Sequence, residues 1–189
     1  MKIIITSVKF LILMTILTGI IYPVFIFLIA KITFPDKSEG SFLEVNGKII
    51  GSGLIAQKFD STIYFQPRPS AIDFQPMPSE ASNFGPTSKI LKNLSDSLRI
   101  AFIQKNKLPI NTDVPTDAIF SSGSGIDPHI SKSNALLQSN RISIARKFDD
   151  KKQKLMLELI DKLTENPQYG FLGEQRINVL LLNIELDKL

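Results

Sequence analysis

The stretch FLILMTILTGIIYPVFIFLIA, residues Phe10 to Ala30, contains twenty-one residues without a charged side chain, and Lys9 and Lys31 flank it. At about 1.5 Å per residue, a helix of this length spans roughly 32 Å, close to the roughly 30 Å hydrocarbon core of a bilayer. A helix satisfies its own backbone hydrogen bonds, so lipid can surround it. The sequence therefore predicts a transmembrane helix over residues 10–30.

Three other kinds of segment could carry such an apolar run. A cleaved signal peptide has a shorter apolar core and small residues before the cut, whereas this run ends in Leu28-Ile29-Ala30. A lipoprotein anchor needs a cysteine, and the chain has none. A helix of a soluble core usually has a polar face, which this stretch lacks. We therefore expect a membrane span that is retained.

The charges beside the span predict its orientation. Lys2 and Lys9 precede it without an acidic residue, whereas charges of both signs follow it. Because positive residues favour the cytoplasmic side, we expect residues 1–9 in the cytoplasm. Residues 31–40 would then be a linker, and residues 41–189 a single extracytoplasmic domain.

Composition narrows the function classes. After the span the chain has 20 basic and 18 acidic residues, which is nearly balanced, and it has no basic stripe with interleaved aromatic residues. We therefore expect no nucleic-acid partner. The absence of cysteine excludes disulfides, thiolate metal sites and thiol nucleophiles.

Local patterns predict the fold of the outer part. Residues 41–51 read as a β-hairpin around Asn46-Gly47, a pair suited to a type I′ turn, and Leu54-Ile55-Ala56 is a candidate to continue the sheet. Apolar spacing and caps then predict three helices, over 88–105, over 132–148 with Ser131 as its cap, and after Asp150 as a cap, followed by a strand over 176–181. The first helix is expected to carry one apolar stripe, formed by Ile90, Leu91, Leu94, Leu98, Ala101 and Phe102. The inner face of the third is expected to consist of Met156, Leu159, Ile160 and Leu163. The fold class is α+β: one transmembrane helix, then one domain with a small sheet and about three helices.

A proline-rich segment separates the hairpin from the first of these helices. It runs from Gln66 to Pro86 and is too long for a plain connection, and such segments are usually functional or disordered. The aromatic residues in and beside it indicate that it packs on something; they are Tyr64, Phe65, Phe74 and Phe84. Within the span, Pro23 lacks a backbone donor and should kink or loosen the helix.

Two patterns suggest chemistry, but each has a simpler interpretation. Residues 51–56, GSGLIA, match a dinucleotide-binding pattern, yet no helix is predicted where the pyrophosphate would need one. His129 is the only histidine, so a serine triad with Ser122 or Ser124 would have to use it. Asp127-Pro128-His129 is more simply a turn before a helix. We predict no catalytic and no metal-binding residue, which leaves a membrane-tethered accessory or binding module.

Several short stretches of the chain form a series of motifs in a fixed order. In chain order they are TGIIYP (18–23), GSGLIAQ (51–57), RPSA (68–71), SNFGPT (82–87), VPTD (114–117), SGSGIDPHIS (122–131), GFLGE (170–174) and RINV (176–179). Together they resemble one family, the C subunit of the Kdp potassium-transporting ATPase. Gln138 and Arg141 also fit. Pro67 and Gln175 depart from the family, which usually has glycine and proline there.

The resemblance implies a role in a potassium pump of the bacterial inner membrane. In that complex a channel-like subunit takes up the ion and a P-type ATPase subunit hydrolyses ATP. The C subunit has one span and an outer domain, is needed for assembly, and is described as a catalytic chaperone that raises ATP affinity. Gln138 matches a glutamine proposed to touch nucleotide. ATP and potassium would be handled by the complex, with no cofactor bound tightly here.

The predicted orientation conflicts with a direct ATP contact, because it places Gln138 on the side without ATP. We therefore expect the outer domain to clamp the channel-like subunit, in a chain that also contacts membrane lipid. The candidate interface residues are Tyr22, Pro23, Arg68, Phe74, Phe84, Asp127 and His129. Two alternatives are a tethered domain that binds an envelope ligand and an outer-surface hydrolase that uses His129.

Overall fold

A computed structural model describes residues 1–77 and 80–189, so Pro78 of the proline-rich segment lies outside the described residues. The chain divides into two compact units, Met1–Ser52 and Gly53–Leu189. The predicted hairpin lies in the first unit. The assignment of residues 41–189 to an extracytoplasmic domain stays a prediction.

The first unit begins with a long apolar helix, α1, which runs over Lys2–Thr33. Among the described residues it is the one helix long and apolar enough to cross a membrane. At 1.5 Å per residue it is about 48 Å long, so it exceeds a hydrocarbon core and extends past the predicted 10–30 at both ends. The helix ends at Phe34 (φ −139°), because the residue before Pro35 avoids the helical region.

The middle of α1 is not regular. Residues Leu17–Ile21 form a π-helical turn directly before Pro23. Proline has no N–H, and its ring would clash with the carbonyl of Gly19 in a regular helix. A wider turn relieves that clash and is a usual way to accommodate such a residue. The predicted loosening of the helix near Pro23 is confirmed.

A short helix, α2 (Pro35–Ser38), leads to the predicted hairpin of β1 (Phe42–Val45) and β2 (Lys48–Ser52). The strands are antiparallel. Asn46 (φ 53°) and Gly47 (φ 73°) both adopt the positive φ that a type I′ turn requires. The register places Glu44 opposite Ile49 and Leu43 opposite Gly51, so Ile50 is an extra residue in a bulge.

The second unit is α+β, as predicted. Its helices are α3 (Lys89–Asn106), α4 (Lys132–Arg146), α5 (Asp150–Leu163) and α6 (Val179–Leu186), with a 3₁₀ turn at Thr116–Ala118. Strands β3 (His129–Ile130) and β4 (Ile177–Asn178) form an antiparallel pair. Residues 54–56 do not extend the hairpin sheet, so that expectation is wrong. Instead, the Ala56 N–H donates to the Ile126 carbonyl at 2.8 Å.

Side-chain caps set where these helices begin. The hydroxyl of Ser88 caps α3 and that of Ser131 caps α4, as the sequence predicts for Ser131. Asp149, rather than the predicted Asp150, caps α5 by accepting from the Lys152 N–H at 2.8 Å. Asn178 caps α6, so the strand predicted over 176–181 is limited to Ile177–Asn178.

The main core lies between α4, α5, α6 and the segment around Phe65. Its fully or nearly fully buried members are Phe65, Ile130, Ala135, Ile142, Met156, Ile160, Ile177, Val179, Leu182 and Leu186. The predicted inner face of α5 is confirmed, since Met156 and Ile160 are buried and Leu159 and Leu163 pack beside them. The predicted apolar stripe of α3 is only partly buried: Ile90 remains 63% exposed.

Within this unit, the proline-rich segment is hydrogen-bonded to the Gly-Ser loop, residues 122–125. The Ser70 hydroxyl donates to the Gly125 carbonyl at 2.7 Å and accepts from the Phe74 N–H at 2.9 Å. Gly125 has φ +72°, and a Cβ there would lie 2.6 Å from Cγ1 of Ile72. Only glycine fits both the backbone conformation and the space, so this contact fixes the two segments against each other.

We predict that Gly125→Ala lowers the free energy of unfolding by about 2–4 kcal/mol, from left-handed strain and the clash with Ile72. Denaturant unfolding of the full chain in detergent measures this. Gly123→Ala is the matched control, because an added Cβ at Gly123 meets no atom within 4 Å. Equal stability of the two variants would contradict the prediction.

Candidate partner-binding site

Gln138, on α4, is buried at the centre of a hydrogen-bond cluster and is only 1% exposed. Its Oε1 accepts from the Gln66 N–H at 2.8 Å and from Arg141 Nη2 at 2.9 Å. Its Nε2 donates to the Gln66 carbonyl at 3.1 Å and to Asn134 Oδ1 at 2.9 Å. An amide has two donors and two acceptor positions, so all four are filled from within the chain.

Arg141, one helical turn further along α4, is 4% exposed and binds the same segment. Its guanidinium donates to the carbonyls of Thr62 and Tyr64, the latter at 3.0 Å, and its Nε donates to Asn106 Oδ1 at 2.9 Å. These acceptors are neutral oxygens. Burial lowers the pKa of Arg141 to about 10, so the guanidinium remains charged near neutral pH.

Two further polar side chains complete this framework. The Asn183 amide pairs with both backbone groups of Phe65, at 2.8 Å and 2.9 Å. The Asp117 carboxylate accepts from the Ser131 N–H and from Asn134 Nδ2, at 2.8 Å and 2.9 Å. Sequence reasoning did not single out Asn183 or Asn134, because an isolated asparagine carries no pattern that reveals a distant partner.

Three of the predicted interface residues meet at a polar cleft of about 770 Å³. Arg68 Nη1 lies 3.1 Å from Asp127 Oδ2, and Nδ1 of His129 lies 3.2 Å from Asp127 Oδ1. The His129 N–H also donates to Asp127 Oδ1 at 3.0 Å. Burial opposes ionisation of Asp127, but the hydrogen bonds from His129 and the charge of Arg68 prevail and lower its pKa. Asp127 is therefore an anion that orients the Arg68 guanidinium and the His129 ring.

The two predicted phenylalanines line neighbouring recesses rather than the polar cleft. Phe74 lines a recess of about 340 Å³ together with Arg68, so Arg68 borders both cavities. Phe84 lines a recess of about 450 Å³ and is 40% exposed. Pro69 and Leu98 border both recesses. Tyr22 and Pro23 belong to α1, in the first unit.

The described residues do not assemble a recognisable catalytic or metal centre. Among residues 1–77 and 80–189, no group of three or more histidine, cysteine, aspartate or glutamate side chains could hold a metal ion. The Ser122 hydroxyl accepts from the Asp127 N–H at 3.5 Å and lies 3.5 Å from the Ser124 hydroxyl, which supports the loop. No helix begins at residue 53, so GSGLIA lacks the helix that a pyrophosphate needs.

We predict that Gln138→Ala lowers the free energy of unfolding by about 2–4 kcal/mol, because it leaves the buried groups of Gln66 and Asn134 without partners. Denaturant unfolding of the full chain measures the loss. Asn140→Ala, at an exposed position of the same helix, is the control and should change stability by no more than about 0.5 kcal/mol. Wild-type stability of Gln138→Ala would show that these hydrogen bonds do not stabilise the fold.

Comparison with known proteins finds relatives that match nearly the whole chain. The family described as "K+-transporting ATPase, c chain" matches residues 4–188. A protein of Leptospira interrogans is 42% identical over 187 residues, covering 99% of this chain and 94% of its own. One of Geotalea uraniireducens is 42% identical over 194 residues, covering 100% and 99%.

A protein of Mycobacterium tuberculosis is 39% identical over 186 residues, covering 97% of this chain and 96% of its own. All three relatives are named as the KdpC subunit of a potassium-transporting ATPase. The family match and these identities extend over both compact units. The chain belongs to the KdpC family, the c chains of the potassium-transporting ATPase.

Proposed function

We propose that this chain is the non-catalytic accessory subunit of an ATP-driven potassium uptake complex, and that its second unit clamps the channel-like subunit outside the cytoplasm. The observation that carries the proposal is the convergence of Arg68, Asp127 and His129 on one open polar cleft. Charges that are preoriented and half-exposed suit the rim of a protein interface, where they select the partner and guide its approach.

The apolar recesses supply the other part of such an interface. Phe74 and Phe84 line cavities that border the same loops as the charged residues, and large aromatic side chains often dominate binding energy. A patch that combines aromatic residues with an ordered set of charges fits a specific protein partner better than it fits a small substrate. Membrane lipid would surround α1, which has the length and the composition of a span.

The buried position of Gln138 bears on how this subunit would raise the ATP affinity of its partner. With all four of its hydrogen-bonding positions filled, Gln138 would have to abandon its contacts with Gln66 and Arg141 to touch a nucleotide. We propose that Gln138 instead holds the fold of the clamp. Any effect on ATP binding would then pass through the partner subunits as a coupling free energy.

The orientation follows from the positive-inside bias, and single cysteines can test it because the chain has none. We expect a membrane-impermeant maleimide to label Ile110→Cys in intact spheroplasts and to label Lys2→Cys only after permeabilisation. Ile110 is 70% exposed, so access does not limit its labelling. The reverse labelling pattern would place the second unit in the cytoplasm and would overturn the proposed clamp.

For the interface, we predict that replacing Phe74, Phe84 and His129 together by alanine weakens capture by the channel-like subunit. The loss should be roughly thirtyfold or more, as expected for removing interface hot spots. The measurement is co-purification of the co-expressed complex, with potassium affinity as a second readout. Ile110→Ala is the exposed apolar control.

Two outcomes of the co-purification experiment would contradict these proposals. If the triple variant unfolds normally and still gives an intact complex with full potassium affinity, the interface assignment is wrong. If the wild-type chain itself captures neither partner subunit, the clamp proposal fails, and a tethered domain that binds an envelope ligand takes its place.

A further inference from the structure

Residues 165–176 form a projecting hairpin-like segment, which we call the 165–176 finger. Its stem is closed by two backbone hydrogen bonds between Glu165 and Arg176, at 2.9 Å and 3.1 Å, and by two between Gln168 and Leu172, both at 2.9 Å. The Arg176 guanidinium also pairs with the Glu165 carboxylate at 2.9 Å. The stem is therefore held at both ends, which gives the tip a defined position.

The tip of the finger exposes apolar side chains. Tyr169 is 88% exposed, Phe171 is 76% exposed and Leu172 is 51% exposed. Scattered single apolar residues are ordinary on a protein surface, but these three lie within four residues at the closed end of one hairpin-like segment. Burying two such aromatic rings would remove about 300–500 Å² from water.

The backbone of the tip is also unusual. Tyr169 (φ 55°) and Gly170 (φ 83°) both have positive φ, and the Phe171 N–H donates to the Gln168 carbonyl at 3.3 Å. This is the φ pattern of a type I′ turn, in which glycine, asparagine and aspartate are preferred. A tyrosine there is strained, because its Cβ crowds the following carbonyl oxygen. The turn thus holds an aromatic ring outward in a conformation that this residue type rarely adopts.

From this geometry we infer that the 165–176 finger inserts Tyr169 and Phe171 into an apolar pocket on the channel-like subunit of the same potassium-transporting ATPase. The inference rests on the proposed function, since it adds a second contact to the clamp. A rigid, preformed finger loses little conformational entropy on docking, so the buried aromatic area is retained as binding free energy.

The position of the finger favours a protein partner. Its stem residues, among them Asn166, Glu174 and Arg176, line the same polar cleft as Arg68 and His129. The tip therefore continues the candidate interface of the second unit. A partner that covers the cleft would meet the finger at the cleft's edge.

The charges of the finger argue against a lipid surface as the occupant. The segment contains Glu165, Glu174 and Arg176 as its charged residues, so it is net acidic, and residues 166–173 carry no charge. Segments that bind anionic bilayers normally place lysine or arginine beside the apolar residues. A second copy of this chain is the remaining occupant, and the experiment separates it from a partner subunit.

The absence of native cysteine allows a direct test with Tyr169→Cys in the full chain. We expect a soluble maleimide to label this cysteine rapidly in the detergent-solubilised chain alone. In the complex with the channel-like and ATPase subunits, labelling should slow by about tenfold or more, because reaction then requires local opening of the interface. Ile110→Cys is the matched exposed control, with equal rates expected in both states.

Every other outcome of the labelling experiment contradicts the inference. Equal labelling of Tyr169→Cys in the free chain and in the complex would show an undocked tip. Equal slowing at both cysteines would show general shielding by the complex. Protection by phosphatidylglycerol vesicles alone would assign the tip to lipid, and protection on concentrating the chain alone would assign it to a second copy.

An affinity measurement distinguishes failure of the finger from failure of the clamp. The double variant Tyr169→Ala, Phe171→Ala should bind the partner subunits roughly thirtyfold more weakly with an unchanged unfolding curve, whereas Tyr169→Phe retains binding. If the wild-type chain captures the partners and the double variant does so equally well, only the finger is wrong. If the wild type captures neither partner, the proposed function is wrong as well.

Discussion

The structure of the second unit depends on side chains that act as the hydrogen-bonding partners of an irregular backbone segment. Residues 62–66 are in no helix and no strand, yet Phe65 lies fully buried at the centre of the core. Buried peptide groups must be paired, and here the pairing comes from arginine and amide side chains of α4 and α6. Arg141, Arg146, Gln138 and Asn183 together bind the backbone at every residue from 62 to 66.

The same arrangement fixes the positions of the candidate interface residues. Arg68 follows two residues after Gln66, so the clamp on Gln66 sets where the guanidinium meets Asp127. Ser70, two residues further, then engages the Gly125 carbonyl of the loop that carries Asp127. Arg68 and Asp127 are 59 residues apart in the sequence. One buried polar cluster holds their two segments beside each other. Such fully satisfied networks specify a unique arrangement.

Sequence reasoning succeeded where the physics is local. Asn46-Gly47 determines its turn through its own backbone preferences, and Ser131 caps α4 through an N–H three residues away. The span of α1 follows from an uninterrupted apolar run and the core face of α5 from periodicity within one helix, and a sequence displays both directly. Asp149 and Asp150 could not be separated, because either carboxylate could cap a helix that begins there.

The remaining features depend on contacts between distant residues. Gln138 lies 72 residues from Gln66. The sequence around either residue carries no pattern that predicts their hydrogen bonds. The strand predicted over 176–181 stops early because Asn178 turns its side chain to the Leu181 N–H and starts a helix, which local alternation does not reveal. Ile90 of α3 and Tyr169 at the tip of the finger are apolar yet exposed, and a sequence does not show whether an apolar side chain finds a partner within its own chain.

A clamp outside the cytoplasm can influence ATP binding without touching ATP, provided that it fits one state of its partners better than another. A ligand shifts an equilibrium only by its differential affinity for the two states. A tenfold change in ATP affinity corresponds to about 1.4 kcal/mol, which is less than the loss of one interface hot spot. An aromatic contact that forms in one state of the partner subunits and not in the other would be enough to produce such a change in ATP affinity. The filled amide of Gln138 is then useful for its rigidity, because a firm clamp transmits a small difference in fit that a flexible one would absorb.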